Sequence, residues 1–169
     1  TNGGTLNFLE SMQTNSGTDD FISNDIMEDN RGELFVSLNQ NDLLRETEIY
    51  FIENTTDGSD PTYDARTFPM NDNATSVFTR LVEGDQGVDL SIQALAYSEM
   101  WDKVIPLGIN ALGGEEMTIS ISHRTTPADL NIYLEDTEQG TMTNLLDGDY
   151  VLTPASDLSG VGRFFIHMT

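Results

Sequence analysis

Three carboxylates crowd one loop of this sequence. In the segment TTDGSDPTYDA, Asp57, Asp60 and Asp64 fall around Gly58 and Pro61. A hard cation such as calcium takes several carboxylate and carbonyl oxygens from a flexible loop, and these three aspartates could supply them. The spacing is not that of the helix–loop–helix calcium site, whose fixed glycine and closing glutamate are both missing. Aspartate is also an ordinary turn residue, because its side chain accepts hydrogen bonds from nearby backbone amides. The loop therefore reads either as a calcium site or as a segment that caps itself. Arg66 follows directly and can neutralise only one of the three charges.

Other carboxylates invite a hydrolytic reading. Glu135-Asp136 and Asp147/Asp149 resemble the paired acids of a glycosidase, which must face one another about 5–10 Å apart across a cleft. Neighbouring residues of a strand point to opposite faces, so Glu135 and Asp136 cannot form that pair together. His123 and His167 are the only histidines. Neither lies near a nucleophile elbow or in a metalloprotease spacing, which leaves them structural or surface roles. The sequence is thus expected to be non-catalytic. Trp101, with Tyr97 shortly before it, could form a stacking platform for a sugar; the alternative is an aromatic at the core or its rim. Asn54-Thr55-Thr56 and Asn73-Ala74-Thr75 match the short glycosylation sequon.

The segments that must position these residues carry strand signals. Residues 33–38, 46–53, 89–95, 117–122, 131–136 and 163–168 are expected strands, with Val36, Phe51, Ile92, Ile119, Leu134 and Ile166 facing inward. Leu90 and Ala94 share the inward face expected for Ile92. Residues 77–82, 141–144 and 150–152 add shorter strands. The apolar run at 49–52 has no polar face, which points to a central strand. Pro106 would restrict the run 104–109 to an edge strand or a bulge. Thr5–Phe8 reads as an opening strand, and Glu10–Asn30 as a polar surface loop anchored by a few apolar residues. About ten strands, Gly/Asn/Asp turns and no amphipathic helix argue for an all-β fold, an antiparallel β-sandwich of jelly-roll type.

Length and charge bound the rest. The 169 residues suit a single domain spanning 1–169, long enough to bury a core without staples. Cysteine is absent, which excludes disulfides and thiolate chemistry. The net charge of −22 repels nucleic acid and anionic membranes while attracting cations. It also favours solubility in salt, where screening shortens self-repulsion to about 8 Å or less. No run reaches the length of a membrane-spanning helix, so no membrane insertion is expected. The start at Thr1-Asn2-Gly3-Gly4 reads as a cut inside a longer, multidomain protein.

Several short pieces, taken in order, carry a resemblance. They are Leu6-Asn7-Phe8 with Met12, Thr56-Asp57-Gly58-Ser59-Asp60 with Tyr63-Asp64-Ala65, and Leu90-Ser91-Ile92-Gln93. Ile105-Pro106-Leu107-Gly108 comes next, then Ile132-Tyr133-Leu134-Glu135-Asp136 with Asn144-Leu145. Gly148-Asp149-Tyr150 and Arg163-Phe164 complete the set. Together they resemble the module that precedes the C-terminal sorting domain in surface proteins of Bacteroidota exported by the type IX system. The resemblance implies a β-sandwich, an extracellular or cell-surface location and no activity of its own. It further implies neighbouring domains of the same chain as partners, with surface or extracellular polysaccharide as a second candidate. The expected function is a structural or adhesion module; the alternative is a carbohydrate-binding module, with or without calcium, attached to an adhesin or polysaccharide-degrading enzyme.

Overall fold

The computed structural model describes residues 31–68 and 75–169. The expected opening strand Thr5–Phe8, the polar segment Glu10–Asn30, Asn73 and the first piece of the resemblance lie outside the described residues. Eleven strands form among the described residues: β1 Gly32–Gln40, β2 Leu43–Ile52, β3 Ala65–Arg66, β4 Ser76–Thr79, β5 Leu90–Ala96, β6 Lys103–Asn110, β7 Met117–Arg124, β8 Ile132–Asp136, β9 Thr141–Asn144, β10 Tyr150–Leu152 and β11 Phe164–Met168. The fold is all-β, as the alternation of apolar and polar residues dictates, with a 3-10 turn at Tyr97–Glu99. The strands run in one hydrogen-bonded path, β10-β7-β1-β2-β5-β4-β6-β11-β8-β9, with β3 attached to β5. Neighbours are antiparallel except β2 and β5, which run parallel from Glu48↔Ile92 to Ile52↔Ala96. The sheet is therefore mixed.

That path curls back on itself around one core. Leu34, Val36 and Leu38 of β1, Phe51 of β2 and Ile119 of β7 share a cluster with Ile105 and Leu107 of β6, Leu134 of β8 and Ile166 of β11. These strands come from opposite halves of the path, so their inner faces must pack on one another. Closure at the ends is made by side chains: the Tyr150 ring of β10 meets Phe164 of β11 edge-on at 6.1 Å. The hairpin joining β1 to β2 turns on Asn41 and Asp42, whose φ values of 54° and 62° are those of a two-residue type I′ turn.

Two local expectations are corrected. Pro106 lies inside β6 with Phe165 of β11 opposite it, not on an edge. Its carbonyl accepts from the Arg80 amide at 3.2 Å, one residue beyond the end of β4. An amide at position 106 would return a bond to the Arg80 carbonyl. Gln93 Nε2 donates to that carbonyl instead, at 3.1 Å, so the proline leaves no orphan. The second correction concerns β5, where Ile92 is only half-buried while Gln93 and Leu95 are sealed. Leu90 and Ala94 are buried too, so the strand is covered on both faces and simple alternation misplaces its phase. The other five representative inward positions are fully buried.

Gly108 of β6 leaves room for a ring. A Cβ there would stand 2.1 Å from Phe78 Cε2, on the neighbouring β4. Gly108→Ala should therefore lower stability by about 1–3 kcal/mol through overpacking. An unchanged urea midpoint would show that Phe78 moves aside freely.

Candidate functional site

Three of the sequence-selected residues, Asp57, Tyr97 and Trp101, lie at one corner of the sheet, at the start of β6. The 3-10 turn carries Tyr97 and Glu99, Trp101 and Asp102 make the following bend, and Lys103 begins the strand. Asp57 reaches this corner from the loop after β2. Its Oδ2 lies 2.5 Å from Lys103 Nζ, and Glu99 Oε2 lies 3.2 Å from the same nitrogen. The Lys103 and Asp57 side chains are 8% and 11% exposed, whereas Glu99 is 63% exposed. Lys103 is the only lysine in the chain. Burial alone would push its ammonium pKa down; hydrogen bonds and charge from Asp57 and Glu99 outweigh burial and hold it above the ordinary lysine value. Asp57 Oδ1 is buried with no hydrogen-bond partner among the described residues.

The other two aspartates look elsewhere. Asp60 Oδ2 accepts from the Thr56 amide at 2.7 Å and from its hydroxyl at 3.0 Å. Asp64 Oδ2 accepts from the Asp60 amide at 2.7 Å, and its Oδ1 from the Ala94 amide of β5 at 2.9 Å. Asp60 and one oxygen of Asp64 thus accept from the loop's own groups, whereas Asp57 is held by Lys103 of β6. Among the described residues no group of three or more His, Asp or Glu side chains is placed to hold a metal ion. A cleft of about 190 Å³ beside the loop, lined in part by Ser59, Pro61, Asp64 and Arg66, falls below the ~300 Å³ usual for small-molecule sites. Trp101 is half-exposed, and Tyr97 leans against the core.

A second cluster, at the seam of the curled sheet, escaped the sequence reading. Asp136 ends β8 with no exposed surface. It accepts from Arg163 Nε at 3.0 Å and Nη2 at 2.7 Å, a two-pronged pairing, and from Tyr150 Oη at 2.6 Å. The Glu138 and Gln139 amides add bonds of 2.9 and 3.1 Å. Burial opposes its charge, yet these hydrogen bonds and the Arg163 charge hold its pKa below the ordinary carboxylate value. Burial, then the bond to Asp136, pushes the Tyr150 phenol up to about 12. Glu135, on the opposite face, pairs with His167 at 2.7 Å, and His123 pairs with Glu33 at 2.8 Å. Asp147 bonds Asn144 in the turn before β10. The signal for the buried Asp136 was the inward phase of Ile132 and Leu134, which continues to it.

The family described as a domain of unknown function, DUF8693, matches residues 1–168. The chain belongs to DUF8693. The match covers the whole described fold of this DUF8693 domain, both clusters included. No curated protein and no solved structure matches it.

Proposed function

We propose that this DUF8693 domain is a non-catalytic structural or adhesion module of a secreted or cell-surface protein, exported by the type IX route, that holds and presents neighbouring domains of the same chain. The observation that carries the reading is the use made of buried charge. Asp136 joins β8, β10 and the start of β11 across the sheet seam, and Lys103 ties β6 to the loop after β2. Both clusters connect segments distant in sequence, and the Asp136 cluster links β10 at one end of the sheet path to β8 near the other, as a scaffold requires. The separation of Glu135 from Asp136 supports the same reading over a glycosidase pair.

The half-exposed Trp101 beside Tyr97 supports a second reading, carbohydrate binding assisted by calcium through Asp57, Asp60 and Asp64. A glycan array probed with and without calcium separates the two. The scaffold reading expects no saturable binding in either condition and no hydrolysis of plant, algal or bacterial polysaccharides. Binding that vanishes in the Trp101→Ala variant would overturn it in favour of the lectin. A calcium-dependent rise in melting temperature, lost in Asp57→Asn/Asp60→Asn, would bring the metal into that second reading.

A further inference from the structure

We infer that Lys103 and Asp57 are the two halves of a self-forming covalent cross-link, an amide between Nζ and Cγ with Glu99 as proton carrier. The only lysine in a chain of net charge −22 is buried, and its nitrogen stands 2.5 Å from a carboxylate oxygen of Asp57, whose side chain is largely covered. A surface lysine would have many acidic neighbours; this one is held against one carboxyl group, with a second carboxylate at 3.2 Å. Reacting groups fixed in this way gain effective molarities of about 10⁵–10⁸ M. The reaction need occur only once per molecule, so the small neutral fraction of the pair suffices although Lys103 favours its charged form.

The atoms balance without any co-reactant. Proton transfer within the pair gives the neutral amine and the carboxylic acid. Nζ attacks Cγ of Asp57, Glu99 takes a proton from the nitrogen and returns it to the departing oxygen, and the Cγ–O bond breaks with loss of water. The other Asp57 oxygen stays as the amide carbonyl. One positive and one negative charge disappear together, so net charge is unchanged, and no group is oxidised or reduced. Burial favours the product, since a neutral amide replaces two desolvated ions. The cross-link would close the chain between residues 57 and 103, fixing the aspartate loop to the first residue of β6.

Intact mass, amine acylation after denaturation, and digestion at arginine and lysine test this together on the purified protein. The expected product is lighter than its sequence by one water, and its Lys103 stays unacylated. Digestion should yield one branched species joining residues 46–66 to residues 81–124, uncut at Lys103. Full sequence mass with Lys103 acylated would overturn the inference. So would the loss of water with Lys103 still reactive, since Asp57-Gly58 can dehydrate to a succinimide on its own. Glu99→Gln alters only an exposed side chain, so it should leave the fold intact and slow cross-linking at least tenfold. Cross-linking of that variant at the original rate would overturn the role given to Glu99.

Discussion

Replacing Arg163 by alanine is expected to destabilise the domain by about 3–5 kcal/mol, the usual cost of removing one partner from a buried ion pair. The loss is that large because Asp136 has no exposed surface and cannot turn to water. Its three remaining donors are neutral, and the variant leaves a carboxylate with no cation beside it. Urea unfolding at neutral pH measures the effect, and a loss under 1 kcal/mol would show that water enters the seam. The sign with pH follows from the depressed pKa. Stability from Asp136 is fully present above its unfolded value near 3.8 and is lost as pH falls through the lower folded value. Tyr150 acts at the other limit. Its contribution is complete below pH 10.0 and is lost as pH rises towards about 12. Tyr150→Phe should remove that alkaline component while leaving the one from Tyr50, raised to about 12 by burial and by Glu48.

Phe51→Ala should cost a similar amount, about 3–5 kcal/mol, for a different reason. Phe51 is among the largest sealed side chains, on the strand that joins the parallel and antiparallel portions of the sheet. Its loss removes apolar contact on both sides of the curl and leaves a cavity that two hydrogen-bonded neighbours prevent from collapsing. Phe51→Leu, which keeps part of the volume, should lose markedly less. Equal losses for the two variants would show that ring shape, not filled space, sets the requirement.

The sequence made the strands legible wherever one face is dry and the other wet. Leu34, Val36 and Leu38 marked β1, and Phe164, Ile166 and Met168 marked β11, because alternation is a local consequence of burial. Periodicity is silent on partners, so the parallel pairing of β2 with β5 could not be read from it. Pro106 misled because the rule for proline concerns an unmet hydrogen bond, and Gln93 from another strand meets it here. The site was half legible. Asp57, Tyr97 and Trp101 were found by residue type, but what links Asp57 to them is Lys103, 46 positions away. A solitary lysine in so acidic a chain was the available signal, and it lies in composition, not in any motif. Arg163 could be matched to Asp136 only once β11 was known to lie beside β8.

The place of β11 has a consequence for how the chain is made. This strand, the last of those described, sits between β6 and β8 and pairs with both along its whole length. Until residues 164–168 leave the ribosome, β6 and β8 each keep an open edge, and the seam around Asp136 lacks its arginine. A nascent or C-terminally shortened chain can form the β1–β2 hairpin but cannot join the two halves of the sheet. Joining of the two halves must therefore wait until translation has passed β11, whatever forms before it.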